Sequence, residues 1–216
     1  MPAPEFWLIG GPNGAGKTTL VKTGCIPAHV SLLNPDALTL DLLRRQGIKS
    51  FEAAPPDVLL RTNLQAAEET FADLERRLSR DEAVCVETVL STDKYKPLVE
   101  AVLARGGVFA LIYVALREPG LSLRRVSARV RLGGHDVPAD KLEQRWHRSL
   151  ALLPWFASRA DYFWVLDNSA SNEGEPPALV ANGGRGLVAF VQPEANPAVA
   201  QTLQGSPLFT RKIRLK

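Results

Sequence analysis

The chain has 216 residues, of which 45% are hydrophobic and 23% charged, with a formal charge of +3, as in an ordinary globular domain with one sizeable core. The balance of 26 basic against 23 acidic residues argues against a nucleic-acid coat, no segment approaches the ~20 apolar residues of a membrane span, and the N-terminus lacks a signal-peptide pattern. We therefore expect a single domain over residues 1–216 in the cytoplasm, without a membrane or nucleic-acid partner.

Five continuous apolar runs predict strands that are buried on both faces of a parallel sheet. Helical stretches lie between them, which predicts an α/β fold, specifically a three-layer α/β/α sandwich with a mostly parallel sheet. In such folds ligands gather at the carboxyl ends of the strands. The runs span residues 6–10, 29–33, 83–87, 108–116 and 162–166.

The first run is followed by "GPNGAGKT", which satisfies the pattern G-x-x-x-x-G-K-[ST] between a strand and a helix. Its glycines let backbone N–H groups surround the β-phosphate, Lys17 reaches the β and γ oxygens, and the Thr18 hydroxyl is placed to bind Mg²⁺. An N-K-x-D element, which is typical of GTPases, is missing. We therefore predict that the chain binds ATP and Mg²⁺. The predicted ATP-binding residues are Gly11, Pro12, Asn13, Gly14, Ala15, Gly16, Lys17, Thr18 and Thr19, and Thr18 is also the predicted metal ligand.

The second run leads into "NPDAL", with Asp36 at the start of the next helix. In a doubly wound fold this position lies across the cleft from the phosphate loop, where a carboxylate can take a proton from an attacking hydroxyl. Asp36 is equally explained as the N-cap of its helix. The long helical segment that follows has an apolar stripe, which predicts core packing. The stripe consists of Leu60, Leu64, Ala67, Phe71, Leu74 and Leu78.

The third run leads into "ETVLST", which brings Glu87, Thr88 and further hydroxyls to the same edge of the sheet. These polar groups could bind a hydroxylated acceptor, although Ser91, Thr92 and Asp93 are better explained as helix caps. Motor ATPases place an acidic residue after an apolar strand, and the candidates for that position are Glu87 and Asp167. Neither is followed by the second carboxylate that such machines favour.

The segment at about 120–150 has the pattern of a helical lid. Arg125 and Arg129 share one helix face, Arg145 lies on a second basic face, and Gly133–Gly134 between them could act as a hinge. Such faces can close over a triphosphate and neutralise the charge of the transferred phosphoryl group. A run of charges is otherwise ordinary solvated surface. The remainder, about 170–216, is predicted to be a C-terminal extension with a hairpin or an irregular strand pair that turns at Gly183–Gly184.

From about Phe6 to Ser169 the chain resembles the zeta toxins, bacterial P-loop kinases of toxin–antitoxin systems. The resemblance is carried by "GGPNGAGKTTL", "NPDAL", "VETVLS", "RVRLGGHDVP", "RWHRSL" and "LDNS", all in the family's order. It implies a P-loop kinase fold with a helical lid, phosphorylation of a UDP-activated amino sugar such as UDP-N-acetylglucosamine, and a possible antitoxin partner.

The same resemblance implies roles for individual residues. Asp36 would be the general base and Lys17 the phosphate lysine, while Glu87, with Thr88 beside it, would bind the substrate. Arg129 and Arg145 would hold the ATP phosphates as catalytic lid residues. His135 could join them, or it could be structural.

Two other functions remain open at this point. A P-loop kinase could act on another acceptor, such as a sugar, an antibiotic, a nucleoside or a polynucleotide, and product analysis would identify it. A regulatory module could bind ATP with little turnover and signal to a partner, and it would label no acceptor.

Overall fold

A computed structural model describes residues 3–131, 137–170 and 175–207, and the backbone of residues 211–212. The described residues form eight strands and seven helices. The strands are β1 (Glu5–Gly10), β2 (Ser31–Leu33), β3 (Ala83–Glu87), β4 (Val108–Ala115), β5 (Tyr162–Asp167), β6 (Ala178–Gly184), β7 (Leu187–Val191) and β8 (Arg211–Lys212). The helices are α1 (Lys17–Lys22), α2 (Pro35–Arg45), α3 (Pro56–Ser79), α4 (Lys96–Ala104), α5 (Pro119–Val130), α6 (Ala139–Arg159) and α7 (Pro197–Gly205).

The strands form a single sheet in the order β2-β3-β1-β4-β5-β6-β7-β8. The first five strands in that order are parallel, β6 and β7 join antiparallel, and β8 pairs parallel with β7. The predicted mostly parallel α/β fold is therefore confirmed. Because β3 lies between β2 and β1, residues that follow these three strands meet at one edge of the sheet.

The core lies on both faces of the sheet, as the alternation of β1 side chains shows. Phe6 and Leu8 pack in the large core cluster with residues of α3, α4, α6 and α7. Trp7 and Ile9 point to the opposite face and pack in a smaller cluster with residues of α1. Strand side chains alternate between faces, so helices on both sides of the sheet produce the three layers. Among the helices of the described ranges, none combines the length and apolarity needed to cross a bilayer.

The apolar stripe predicted on α3 is only half correct. Leu74 and Leu78 are buried, whereas Leu60 and Leu64 are 61% and 57% exposed. The 24 residues of α3 extend roughly 36 Å at 1.5 Å per residue, far beyond the five-residue strand β3. α3 packs on α2 as well as on β3, and before Leu74 its buried positions are Thr62, Ala66 and Thr70.

The predicted C-terminal hairpin is present, but its turn is not at Gly183–Gly184. Both of these glycines belong to β6, and the turn residues are Arg185 and Gly186. These have φ of 52° and 73°, the left-handed pair that a tight type I′ turn needs. Gly184 is required by packing, because an added Cβ would lie 2.0 Å from the carbonyl oxygen of Asp161.

The region predicted as a lid contains α5 and most of α6, which pack on each other. The proposed hinge glycines, Gly133 and Gly134, and His135 lie outside the described residues. Buried residues of β6, β7 and α7 belong to the large core cluster, so the C-terminal extension continues the core of the sheet. The single domain over 1–216 and the lid function of α5 and α6 stay predictions.

Candidate active site

The loop between β1 and α1 has a backbone that only glycine can adopt at two points. Gly11 has φ of 139°, and a Cβ there would lie 2.1 Å from the Val114 carbonyl oxygen. Gly16 has φ of 89°, and its Cβ would lie 2.4 Å from Asn168 Nδ2. These positive φ values and close approaches explain why the motif needs glycine at both positions.

The carbonyl groups of this loop are held on its outer side by residues that follow β4 and β5. Ser122 donates a hydrogen bond to the Asn13 carbonyl at 2.7 Å, and Asn168 Nδ2 donates to the Ala15 carbonyl at 2.8 Å. Arg125 donates two hydrogen bonds, one from Nη1 to the Gly14 carbonyl at 3.4 Å and one from Nη2 to the Ala170 carbonyl at 3.1 Å.

With the carbonyl groups held outside, several N–H groups of the loop are left for a ligand. Among the described residues, the backbone N–H groups of Gly14, Gly16, Lys17 and Thr18 have no acceptor. A concave row of unpaired N–H groups is an anion site. The loop is therefore already shaped for phosphate.

The sequence did not predict the contacts of Ser122, Asn168 and Arg125 with the loop. Arg125, which shares a helix face with Arg129 in the predicted lid, is half-buried and donates a hydrogen bond to the Gly14 carbonyl of the loop. Asn168 lies in the "LDNS" segment directly after β5, and its position at a strand end was the available signal. Ser122 has no such signal, because a serine in the first turn of a helix is ordinary.

The ammonium group of Lys17 contacts the start of the loop that precedes it. Its Nζ donates to the carbonyl oxygens of Gly11 at 2.8 Å and Pro12 at 3.0 Å. Burial lowers the pKa of Lys17 to about 8, against the nearby charges of Glu87 and Asp36, which raise it, while Arg129 lowers it further. These effects place Glu87, Asp36 and Arg129 near the phosphate-binding loop of residues 11–18, the phosphate cradle.

The lowered pKa of Lys17 predicts a pH dependence of ATP binding. Below its pKa of about 8 the lysine is charged and attracts the phosphates, and above that value the free protein must take up a proton to bind them. We expect the dissociation constant for ATP to rise by up to about 10-fold per pH unit above pH 8. Calorimetric titration between pH 7 and 9.5 measures this, and a Lys17→Met variant should lose the dependence. A wild-type affinity that stays constant over this range would contradict it.

Glu87 contacts the predicted metal ligand. The Thr18 hydroxyl donates to Glu87 Oε1 at 2.8 Å and lies 3.1 Å from Oε2, while Asn34 Nδ2 donates to Oε2 at 3.1 Å. A carboxylate paired with the loop hydroxyl occupies the place from which P-loop proteins support Mg²⁺. The substrate role that the resemblance implies for Glu87 stays a prediction beside this one.

Asp167, the other strand-end carboxylate, has a structural role. It is 5% exposed and accepts hydrogen bonds from the Ser169 hydroxyl at 2.7 Å and from Asn196 Nδ2 at 2.8 Å. Arg117 forms an ion pair with it at 3.5 Å. These contacts tie α7 to the end of β5, so that of the two strand-end candidates only Glu87 contacts the phosphate loop.

Asp36 is the second residue of α2 and is exposed. The N-cap of this helix is Asn34, whose Oδ1 accepts from the backbone N–H groups of Asp36 and Ala37. The interpretation of Asp36 as the cap is therefore wrong, and its carboxylate is available for chemistry. Thr88 is less available, because its hydroxyl oxygen accepts from the Leu90 N–H at 3.2 Å.

The two arginines assigned to the predicted lid differ in position. Arg129, near the end of α5, is exposed and close enough to Lys17 to lower its pKa. Arg145 is half-buried on α6 and forms no hydrogen bond or ion pair with other described residues. The structure therefore places Arg129 near Lys17, and the phosphate-binding role of Arg145 stays a prediction.

The residues present fit Mg²⁺ in the manner of a P-loop protein. Within the described ranges no three His, Cys, Asp or Glu side chains cluster as a metal cage. Mg²⁺ in phosphate-transfer sites takes one or two protein ligands and completes its shell with phosphate oxygens and water. Thr18, paired with Glu87, supplies the hydroxyl that this arrangement needs.

Solved structures with the same fold share little sequence with this chain. A chain of the AvrRxo1-ORF1:-ORF2 complex with ATP has a TM-score of 0.62 at 15% identity, over 85% of this chain and 59% of that one. A putative kinase from Chloroflexus aurantiacus J-10-fl has a TM-score of 0.51 at 20% identity, over 69% and 78%. A chain of the PezAT chromosomal toxin–antitoxin system of Streptococcus pneumoniae has a TM-score of 0.49 at 18% identity, over 78% and 70%.

The first two likenesses establish a P-loop kinase-type α/β fold and nothing finer. The present chain spans about three fifths of the length of the AvrRxo1 chain. No curated protein sequence matches it. The model of one family, described as an AAA domain, matches residues 6–152. That match begins in β1 and includes the phosphate loop, Asp36, Glu87, α5 and α6 up to residue 152. Because it covers more than half of the chain, the protein belongs to the AAA domain family.

Proposed function

We propose that the protein is an ATP-dependent phosphotransferase that moves the γ-phosphate of ATP to a hydroxyl group of a small molecule. One observation carries the proposal: two carboxylates that follow different strands lie beside the loop that holds buried Lys17. Asp36 and Glu87 both raise the pKa of Lys17 against the effect of its burial. Glu87 accepts hydrogen bonds from Thr18 and Asn34, whereas Asp36 is exposed, and we assign the acceptor to the side of Asp36. This is the division between metal support and general base that phosphoryl transfer needs.

In the proposed reaction the acceptor hydroxyl oxygen attacks the γ-phosphorus, and the bond from that phosphorus to the β–γ bridging oxygen breaks. The hydroxyl proton goes to the Asp36 carboxylate, and ADP leaves. Lys17 and the loop N–H groups bind the phosphate oxygens, and Arg129 and Arg145 are proposed to neutralise charge on the transferred group. Mg²⁺, held by Thr18 and the phosphates, would add further charge neutralisation.

The acceptor we propose first is a UDP-activated amino sugar, such as UDP-N-acetylglucosamine, phosphorylated in the cytoplasm. The support is the resemblance to zeta toxins in "NPDAL", "VETVLS" and the lid segment. Other hydroxyl compounds, namely sugars, antibiotics, nucleosides and polynucleotides, remain the alternative acceptors. The same resemblance supports an antitoxin as protein partner, and the AvrRxo1-ORF1 neighbour was itself solved with -ORF2.

Product analysis tests the proposed function. The protein is incubated with ATP, Mg²⁺ and separate pools of UDP-sugars, free sugars, nucleosides, antibiotics and 5′-hydroxyl oligonucleotides, and products are identified by mass spectrometry with Lys17→Ala as the control. Phosphorylated UDP-N-acetylglucosamine supports the full proposal, and another phosphorylated acceptor supports only the phosphotransferase. Tight ATP binding with no labelled acceptor, in these pools or in a metabolite extract, would contradict both and favour the regulatory module.

The lid arginines are expected to act on the rate more than on binding. For Arg129→Ala and Arg145→Ala we expect kcat to fall by about 10²-fold, with a smaller change in ATP affinity, because charge shifts toward the arginines in the transition state. Arg124→Ala is the matched control, since Arg124 pairs with Glu118 on the exposed side of α5. Steady-state kinetics with calorimetry measures both quantities. Equal losses in rate and affinity would assign these arginines to the bound ATP instead.

A further inference from the structure

Asn34 uses both ends of its side-chain amide at the edge of the sheet. Its Oδ1 accepts from the backbone N–H groups of Asp36 at 2.9 Å and Ala37 at 3.2 Å, and its Nδ2 donates to Glu87 Oε2 at 3.1 Å. The oxygen therefore fixes the first turn of the helix that carries Asp36. The nitrogen fixes a carboxylate that lies 53 residues away in the chain.

Glu87 is held from both sides by the residues that follow its neighbouring strands. β3 pairs with β2 on one side and with β1 on the other. Asn34 follows β2 and Thr18 lies just after the loop that follows β1, and both donate hydrogen bonds to the Glu87 carboxylate. The row Asn34–Glu87–Thr18 thus runs across the sheet edge in the order of the strands. With a donor at each side, the carboxylate is restrained in rotation.

Among the residues that cap helices well, only asparagine has a side-chain amide, which supplies an acceptor and a donor on separate atoms. Serine and aspartate cap helices as well as asparagine does, so either could satisfy the Asp36 and Ala37 N–H groups. A single serine hydroxyl is shorter and cannot cap and reach Glu87 together, and aspartate has no donor and would place a second carboxylate beside Glu87. A need for a helix cap alone therefore does not explain the amide.

We propose that Asn34 is a positioning residue that sets Glu87, and with it the Thr18 hydroxyl, in register with the helix that carries Asp36. The metal-supporting side and the acceptor side of the site are then assembled by one side chain. This inference rests on the proposed phosphotransferase function for its kinetic consequence. Its consequence for Mg²⁺-dependent nucleotide binding does not require a known acceptor.

The test compares Asn34→Ser and Asn34→Asp, which keep the cap, with Asn34→Ala, which removes it. The melting temperature shows whether the helix cap is kept, and we expect only the Asn34→Ala variant to have a lower melting temperature than the wild type. Calorimetry gives the ATP affinity with Mg²⁺ and with EDTA. In all three variants the gain in affinity from Mg²⁺ should fall by about 10-fold, while affinity in EDTA stays at the wild-type value. With a phosphorylated acceptor identified, kcat should fall by at least as much, with little change in the KM of the acceptor.

A double-mutant cycle with Glu87→Gln tests whether Asn34 acts through Glu87. If it does, the loss in Asn34→Ser/Glu87→Gln equals that in Glu87→Gln alone, because coupled residues are not additive. Wild-type Mg²⁺ gain and wild-type kcat in the Ser and Asp variants would overturn the inference and make Asn34 a helix cap only. Additive losses would overturn it as well. Absence of transfer by the wild-type protein would refute the proposed function, and the Mg²⁺ measurements would still decide the role of Asn34.

Discussion

Replacing Lys17 with alanine is expected to lower ATP-dependent phosphoryl transfer by about 10³-fold. Lys17 is 7% exposed and its ammonium group contacts a loop with unpaired N–H groups, so little water is present to replace its charge. Removing one preorganised charge or donor from such a site typically costs 10²–10³-fold in rate. Single-turnover kinetics with the identified acceptor measures the loss, and ATP affinity should fall as well.

The fold of this variant should survive, which separates chemistry from stability. Burial of the Lys17 ammonium is unfavourable, as its lowered pKa shows, so removal of the charge relieves a cost. Lys17→Met retains most of the apolar stem and should melt at or above the wild-type temperature. Transfer within a few-fold of wild type in either variant would refute the assignment of the loop as the catalytic phosphate cradle.

Replacing Asp36 with asparagine is expected to lower transfer by about 10²-fold or more while ATP affinity barely changes. Asparagine keeps the shape of aspartate but cannot accept the proton of the attacking hydroxyl, and general base catalysis typically contributes 10²–10⁴-fold. Because Asn34 is the N-cap of α2, no cap is lost. Only a favourable charge near the helix N-terminus disappears, worth about 0.3–1 kcal/mol of stability.

Asp41→Asn on the same helix is the matched control. Asp41 is more than one turn farther along α2 and pairs with Arg45, so its loss should leave the rate unchanged. Turnover, ATP affinity and melting temperature are measured for both variants. A wild-type rate for Asp36→Asn would place the general base elsewhere, and a matched fall in both variants would point to a disturbance of α2.

The sequence predicted the phosphate loop well because its chemistry is local. Gly11, Gly16, Lys17 and Thr18 lie within eight residues, and the positive φ of both glycines and the burial of Lys17 follow from that short pattern. The strands were also predicted, since parallel strands appear as continuous apolar runs. The predicted burial on both faces was wrong for the second run, because β2 is an edge strand of the sheet and its Ser31 and Leu32 are exposed. Strand ends were less accurate: the second strand begins at Ser31, two residues after the predicted start.

The errors occurred where a contact with a distant part of the chain decides whether a side chain is buried and what it contacts. Leu60 and Leu64 follow a helical period, but α3 outruns the sheet, so there is no core for them to enter. Arg125 and Arg129 share a helix face in the sequence. In the structure Arg125 contacts the Gly14 carbonyl of the loop, whereas Arg129 lies near Lys17.

The sequence by itself therefore determined the fold class, the phosphate loop and a short set of polar residues at strand ends, because these depend on neighbouring residues and on hydrophobic period. Only the tertiary structure decided what those polar residues do. The strand order β2-β3-β1 brings Asn34, Glu87 and Thr18 into one row, leaves Asp36 exposed beside it, and buries Asp167 in a structural network. No local pattern carries that information, because hydrogen bonds between residues 53 and 69 positions apart are set by how the strands pack side by side.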